Sequence, residues 1–200
     1  MFHVKRVVAK PFVEILSSAP HNLSPSQIAT MDAHWSLVKA WSRRINLTTI
    51  ATDVDAAWMH YRDALEALPY LPAAGQILDI GSGAGFPGIP LAIACPHLRF
   101  SLMEPRQKRV SFLRQAIFAL SLDNARVLPS RSTDAPSQFD AAVTRATFSQ
   151  PTALLHALTW LHPRAPLIAF RAPPPIGSAQ NVHVYRLRKT NRLLEIWRRP

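Results

Sequence analysis

The sequence predicts an α/β protein in which a mostly parallel sheet is covered by helices on both faces. Short apolar runs of strand type alternate with helix-length amphipathic segments after Pro72. A turn with three alternating glycines, Gly81, Gly83 and Gly85, follows the first of these runs, as at the junction of a strand and a helix. The chain has 200 residues, 48% of them hydrophobic, so it can form one well-packed core but not two full-sized domains.

Helices are expected before the sheet. Segment 24–27 (SPSQ) combines a serine N-cap, a proline at the first helical position and a glutamine that can complete a capping box. Apolar residues at intervals of three and four predict that this helix ends near 44–46. A second helix is expected to begin after Asp53 or Asp55 and to end before Pro69.

The sheet is expected to follow. Before the triple proline at 173–175, the strand candidates are 76–80, 100–103, 125–128, 141–144 and 167–170. The helices between them are expected at 88–94, at about 106–120 and at 151–161. Beyond the prolines, 182–188 and 192–197 predict an antiparallel hairpin at the sheet edge. Residues 73–200 are therefore predicted to form the sheet domain, with residues 1–72 as a helical extension packed on it.

Charge indicates the class of partner. Lysine and arginine total 23 against 12 acidic residues, a net charge of +11, which favours polyanions and above all nucleic acid. The single cysteine, Cys95, cannot form an intrachain disulfide and is expected to lie in the core. Lys5, Arg6 and Lys10 interrupt the apolar residues near Met1, and no apolar run reaches the roughly 20 residues of a membrane span, so a cytoplasmic location is expected.

The glycine turn predicts a ligand site. In a parallel sheet, ligands bind beyond the carboxyl ends of the strands, where this turn lies. Gly83, Gly85 and Gly88 also satisfy the dinucleotide fingerprint GxGxxG, so NAD remains open as a ligand. Glycine lets backbone N–H groups approach that ligand without obstruction by a side chain.

Two acids flank this turn. Asp79 precedes the first glycine in D-x-G-x-G-x-G-x-P-G, a layout that resembles the first motif of methyltransferases dependent on S-adenosylmethionine (SAM). Glu104 ends the next strand and is placed to accept hydrogen bonds from the ribose that NAD and SAM share. Only about 55 residues follow Thr144, too few for a separate dehydrogenase substrate domain, which favours SAM.

Longer segments carry a closer resemblance: INLTTI at 45–50, HYRDAL at 60–65, LDIGSGAGFPGIPLAI at 78–93, KRVSFLRQ at 108–115, Ser130 with Arg131, and FDAAVTRA at 139–146. Through them, residues 41–171 resemble the RsmG family, the bacterial guanine-N7 methyltransferases of small-subunit ribosomal RNA. The resemblance implies a Rossmann-like class I methyltransferase fold with a seven-stranded sheet. It also implies SAM as cofactor, 16S ribosomal RNA or the small ribosomal subunit as partner, no metal, and a monomer.

The resemblance also implies roles for individual residues. Those expected to bind SAM are Asp79, Gly81, Gly83, Gly85, Phe86, Glu104 and Arg145. Those expected to act in catalysis, at the ends of neighbouring strands, are Arg145 and Arg131, because a guanidinium suits a carboxylate, a phosphate or a base edge. Those expected to bind RNA are Arg106, Lys108, Arg109 and Arg171, although a solvated helix face explains the first three equally well.

Other interpretations remain open. His60 and Asp63 match a family H-x-x-D segment, and either a structural hydrogen bond or chemistry explains their spacing on one helix face. Arg171 and Ala172 stand where the family has a lysine and a glycine, which puts RNA affinity in question. The alternatives in function are a SAM-dependent methyltransferase with another acceptor and an RNA-binding protein that keeps a SAM pocket without turnover.

Overall fold

The computed structural model describes residues 11–130, 138–148, 150–175, 182–187 and 189–199. Its strands form one seven-stranded sheet with the order β3-β2-β1-β4-β5-β7-β6. They are β1 (Gln76–Ile80), β2 (Arg99–Met103), β3 (Ala125–Leu128), β4 (Ala141–Arg145), β5 (Leu167–Arg171), β6 (Val182–Leu187) and β7 (Arg192–Trp197). Neighbours among β1 to β5 are parallel, whereas β7 is antiparallel to β5 and β6. The predicted α/β class and the antiparallel edge hairpin are confirmed.

Helices surround this sheet. The α-helices are α1 (Pro11–Ser17), α2 (Pro25–Ser42), α3 (Asp53–Ala56), α4 (Asp63–Leu65), α5 (Gly88–Ala94), α6 (Gln107–Ala119) and α7 (Pro151–Leu158). A π-helical turn at Ala57–Arg62 joins α3 to α4, and a 3₁₀ turn lies at Leu68–Tyr70. In the described residues, no helix combines the length and the apolar character that a membrane crossing needs.

The predicted N-cap of α2 forms as a capping box. The Gln27 N–H donates to Ser24 Oγ at 3.2 Å, and the Ser24 N–H donates to Gln27 Oε1 at 2.8 Å. The Gln27 amide also donates to the carbonyl oxygens of Ile93 and Ala94, at 2.9 and 3.2 Å. The same side chain therefore starts the helix and fixes it to α5 of the sheet domain.

The end of α7 differs from the sequence prediction. We expected a helix over 151–161, whereas α7 ends at Leu158. The N–H groups of Gln138 and Phe139 donate to the Trp160 carbonyl, and Phe139 forms a bridge with Leu161. Residues 160–161 thus pair with the segment that enters β4, and this pairing competes with another helical turn.

The two faces of the sheet bury separate apolar clusters. One cluster unites the N-terminal helices with the sheet and contains Phe12, Trp35, Tyr61, Phe100 and Phe170, all at most 1% exposed. The other packs α7 and the C-terminal strand against the opposite face, through residues such as Leu158 and Trp197. Cys95 is buried in the first cluster, as predicted. The helices before β1 therefore share a core with the sheet.

Candidate cofactor and acceptor site

The glycine turn after β1 has the backbone that only glycine adopts without strain. Gly81, Gly83 and Gly85 have φ angles of +74°, +57° and +86°. A Cβ at Gly81 would overlap the Thr147 side chain, and one at Gly85 would overlap the Ile89 side chain. Gly81 and Gly83 are partly exposed. A ligand can therefore approach the backbone of the turn at these two positions.

Asp79 lies beneath this turn and is fully buried. Its Oδ2 accepts a hydrogen bond from the Gly88 N–H at 3.1 Å, while Oδ1 is buried without a partner in the described residues. Burial raises the pKa of the Asp79 carboxyl to about 7, although the Ser82 hydroxyl and the N–H of Gly88 oppose this shift. An unpartnered buried acceptor beside an open backbone turn is what a ligand with hydrogen-bond donors requires.

Glu104 stands at the carboxyl end of β2 and is 2% exposed. Its Oε2 accepts from the Gly83 N–H at 3.0 Å, and its Oε1 accepts from the Arg106 N–H at 2.9 Å. Nη1 of Arg109 lies 3.8 Å from Oε2. A carboxylate oxygen can accept two hydrogen bonds, so Glu104 holds the turn in place and keeps acceptor capacity for hydroxyl groups of a ligand.

Arg145 ends β4 and reaches back to the π-helical turn. Its Nη1 donates to the Met59 carbonyl at 2.8 Å and to Nδ1 of His60 at 3.1 Å. The guanidinium carbon lies 5.2 Å from the centre of the Phe170 ring, and Nε is buried without a partner in the described residues. Burial and the nearby Arg192 lower the pKa of Arg145 to about 10, so the group stays charged at neutral pH.

His60 is the neutral partner of this arginine. Burial, reinforced by the positive charge of Arg145, lowers the pKa of His60 to about 2. Its Nδ1 accepts from Arg145, which leaves Nε2 to donate to Thr48 Oγ1 at 2.9 Å. The imidazole also stacks on the Phe86 ring, with centroids 4.1 Å apart and 7° between the planes. His60 thus orients Arg145 and covers Phe86.

Phe86 itself is 5% exposed. Besides His60, its ring contacts His34 at 5.1 Å and Tyr61 at 5.2 Å. Burial lowers the pKa of His34 to about 3, and this neutral ring accepts from the Tyr61 hydroxyl and donates to the Ala84 carbonyl. No sequence pattern had singled out His34, which fixes the glycine turn to α2.

Asp63 does not join His60. Its Oδ1 accepts from Thr190 Oγ1 at 2.9 Å, and its Oδ2 lies 3.4 Å from Nη1 of Arg192. The same Nη1 donates to the Met59 carbonyl at 2.8 Å. The two residues of the H-x-x-D segment therefore bind different elements, β4 through His60 and the β6–β7 hairpin through Asp63.

The candidate RNA-binding residues fall into two kinds. Arg106 and Lys108 are exposed at the start of α6. Arg109 instead lies beside Glu104 and donates to the Asn46 carbonyl at 3.4 Å. Arg171 donates to the Phe148 carbonyl at 2.8 Å and lies 3.9 Å from the buried carboxylate of Glu195. The predicted catalytic Arg131 lies outside the described residues.

Sequence comparison places the chain among known proteins. The family model for rRNA small subunit methyltransferase G, GidB, matches residues 27–173. The enzyme of that name from Klebsiella pneumoniae is 35% identical over 150 residues, 74% of this chain and 70% of the relative. Those from Cupriavidus necator and Syntrophus aciditrophicus are 35% and 37% identical, over 76% and 64% of this chain and 71% and 57% of the relatives.

Solved structures share the fold at low sequence identity. A methyltransferase from Geobacter sulfurreducens superposes with a TM-score of 0.60 at 14% identity and covers 94% of both chains. An RNA methyltransferase from Salinibacter ruber, solved with S-adenosyl-L-homocysteine, has a TM-score of 0.54 at 16% identity and covers 68% of this chain and 86% of that chain. From the family match and the class I strand order, the chain belongs to the rRNA small subunit methyltransferase G family of SAM-dependent methyltransferases.

Proposed function

We propose that this protein transfers the methyl group of SAM to N7 of a guanosine in 16S ribosomal RNA. Membership of the family supports the reaction class. The observation that carries the assignment to this site is the carboxyl edge of β1, β2 and β4, where a positive-φ glycine turn, two buried acids and a half-buried arginine meet.

The residues at this edge fit the cofactor. The unpartnered Oδ1 of Asp79 and the remaining lone pairs of Glu104 suit the amino and hydroxyl groups of SAM. The exposed backbone at Gly81 and Gly83 leaves room for its approach, and the buried glycine at 85 shapes the turn. When bound there, SAM supplies an electrophilic methyl group on a positively charged sulfur. Phe86 would line the pocket from beneath the turn.

Guanine N7 is an acceptor that needs no general base. Its lone pair is free in single strands and in the major groove of paired RNA, so no proton has to leave before attack. The protein then contributes chiefly by positioning the two reactants. The site agrees with this chemistry, because the pKa values of its two histidines, His34 and His60, are lowered to about 3 and 2 and both nitrogens of each ring have partners.

Arg145 would hold the guanosine. Met59 and His60 fix two of its donors, and Nε, which is buried without a partner in the described residues, is a donor that a bound substrate would have to uncover. A guanidinium that contacts guanine O6 or the adjacent phosphate would leave N7 open to the methyl group. Arg145 would also lie close to SAM. Arg131 is proposed as a second catalytic arginine.

RNA would approach from the carboxyl edge of the sheet. Arg106 and Lys108 are exposed there and can bind phosphates. Arg109 and Arg171 already hold protein groups and would add their charge to the surface potential rather than direct contacts. The proposed domain organisation, with residues 1–72 as an extension on the domain at 73–200, gives the extension a role in positioning Arg145 through Met59.

The reaction is tested with methyl-labelled SAM and small-subunit ribosomal RNA, both free and in assembled small subunits, from cells that lack the modification. After digestion, we expect the label in 7-methylguanosine. RNA that already carries the modification serves as the matched control and should remain unlabelled. Label in another nucleoside would refute the N7 assignment, and SAM binding without labelling of any small-subunit RNA would refute the proposed acceptor.

A further inference from the structure

A cleft opens beside the H-x-x-D segment, on the side of the β6–β7 hairpin. It lies between the π-helical turn, the 3₁₀ turn and the hairpin, and its volume is about 500 Å³, within the usual range of ligand pockets. Its lining includes three aromatic residues, Trp58, Tyr70 and Tyr185, and two cationic residues, Arg62 and Lys189. We name this site the aromatic cleft.

Two cations from different elements flank Trp58. The guanidinium carbon of Arg62 lies 4.8 Å from the indole centroid, and Nζ of Lys189 lies 5.4 Å from it. Arg62 donates through Nη1 to the Ile15 carbonyl at 3.0 Å, whereas its Nε is buried without a partner in the described part of the chain. Lys189 is exposed at the hairpin turn. The indole therefore holds two positive charges in the lining of the cleft.

The opposite wall carries an exposed aromatic ring. Tyr185 is 44% exposed, and its ring lies 5.4 Å from that of Tyr70 at an angle of 39°. Tyr70 thus packs against Tyr185 and leaves part of the Tyr185 ring exposed. Among the described residues, two acids, Asp63 and Glu66, also line the cleft. Asp63 is paired with Arg192 and Thr190. The positive charges in the lining therefore outnumber the acids, with Glu66 facing Arg62, Arg186 and Lys189.

The aromatic cleft is close to the acceptor side of the site. Arg145 pairs in register with Phe170, Phe170 with Leu194, and Leu194 with Tyr185, so the four residues form one row on one face of the sheet. Three strand spacings separate Arg145 from Tyr185, about 14 Å between their Cα atoms. The Met59 carbonyl accepts hydrogen bonds from both Arg145 and Arg192. It therefore links the acceptor side of the site to the β6–β7 hairpin.

We propose that the aromatic cleft binds a single-stranded segment of the substrate RNA that flanks the methylated guanosine. A base stacks on Tyr185, and the neighbouring phosphates lie against Lys189 and Arg62. Aromatic rings interleaved with cations are the means by which proteins hold unpaired nucleotides, and the net charge of +11 favours the same partner. This inference rests on the proposed function, because it takes small-subunit ribosomal RNA as the occupant.

The test uses matched pairs of variants of the full chain. Tyr185→Ala removes the ring, and Tyr185→Phe keeps the ring without its hydroxyl. Lys189→Glu reverses a charge in the cleft, and Arg99→Glu makes the same change at the exposed amino end of β2, away from the cleft. The affinity for labelled, overlapping fragments of 16S RNA is measured by fluorescence anisotropy, without turnover, and SAM affinity is measured by calorimetry.

We expect Tyr185→Ala and Lys189→Glu each to weaken binding of the best fragment about tenfold, the scale of one lost base stack. Tyr185→Phe should remain within twofold of the parent and Arg99→Glu within about threefold, with SAM affinity unchanged throughout. Equal RNA affinity of Tyr185→Ala and Tyr185→Phe, with Lys189→Glu no weaker than Arg99→Glu, would overturn the inference. Because binding is measured without turnover, a parent that binds RNA through the cleft but does not methylate it would refute only the proposed function.

Discussion

The carboxyl edge of the sheet has two halves, the proposed cofactor half and the proposed acceptor half, that hold their polar groups in different ways. In the cofactor half, the carboxylates of Asp79 and Glu104 accept backbone N–H groups of Gly88 and Gly83, only 9 and 21 positions away in the chain. In the acceptor half, the guanidinium of Arg145 binds a carbonyl 86 positions away. The cofactor half is therefore built by one continuous strand-turn-helix-strand unit, from β1 through α5 to the end of β2, whereas the acceptor half exists only when distant segments pack together.

Substitutions in the two halves should therefore have different effects. Changes in the glycine turn alter the backbone and should affect both folding and SAM binding. Changes in the acceptor half alter long side chains that reach across elements, so they should affect methyl transfer more than SAM binding. The contrast also explains the role of the N-terminal helices, which supply the Met59 carbonyl and His60 to the acceptor half.

The largest effect is expected from Gly85→Val in the cofactor half. Its φ of +86° is strained for a β-branched residue, and the new side chain would overlap Ile89. Strain and overpacking together should cost about 4 kcal/mol of unfolding free energy and abolish SAM binding. Gly83→Ala is the matched control, because its added Cβ would meet Arg109 at an ordinary 3.7 Å, and it should cost only about 1 kcal/mol. Urea unfolding measures the stability of both variants, and titration measures their SAM affinity. A Gly85→Val protein as stable as Gly83→Ala would contradict this prediction.

Next comes the pH dependence that Asp79 imposes. Burial raises its pKa from 3.8 to about 7, so between these values the folded protein binds a proton that the unfolded chain has lost, and stability falls as pH rises. Asp79→Asn keeps an acceptor for the Gly88 N–H and cannot ionise. Relative to the parent, this variant should gain about 2 kcal/mol of stability between pH 5 and pH 7 and little more above pH 7. Urea unfolding without cofactor at pH 5 and pH 8 tests this, and a difference that does not change with pH would contradict it.

Arg145→Ala in the acceptor half should affect methyl transfer more than SAM binding. The variant loses the group that would hold the guanosine, so methyl transfer should fall by at least about 100-fold, in line with the loss of a charged, oriented donor. SAM affinity should fall by about tenfold or less. Arg145→Lys keeps the charge without the planar fork and should recover only part of the rate. Single-turnover transfer and SAM calorimetry provide the measurement, and a variant with weakened SAM binding but an undiminished rate at saturation would assign Arg145 to the cofactor half.

The smallest effect is expected from the double variant Arg106→Ala/Lys108→Ala. These exposed cations would bind phosphates without reading sequence, so RNA affinity should fall three- to tenfold at low salt for every fragment alike. The slope of log affinity against log salt concentration should decrease by about 1.5. Arg99→Ala is the control at the opposite edge. An unchanged slope would show that α6 presents only a solvated face.

That the glycine turn, Asp79 and Glu104 lie together could be predicted because the signals are local. Glycines at positive φ, an acid before them and an acid at the next strand end all lie between 79 and 104. The capping box of α2 was predicted for the same reason. The seven-residue helix α1 gave no usable pattern, since it is too short to repeat, although Phe12 and Leu16 are both buried.

The acceptor half could be predicted only in part. Arg145 was found because it lies in a family segment, but its partner is the carbonyl of Met59, and a backbone carbonyl has no sequence signature. The π-helical turn that presents this carbonyl depends on tertiary contacts. The pairing of Asp63 with Arg192 joins residues 129 positions apart, which no local pattern reveals.

Replacing N7 of guanine tests the central claim most directly. Small ribosomal subunits are reconstituted with 16S RNA transcribed either with guanosine or with 7-deazaguanosine, in which a C–H group stands in place of N7. N7 takes no part in Watson–Crick pairing and lies in the major groove, so the secondary structure of the RNA is kept. With methyl-labelled SAM, we predict label in the guanosine particles and none in the 7-deazaguanosine particles. Equal labelling of both, or of neither, would contradict methyl transfer to guanine N7.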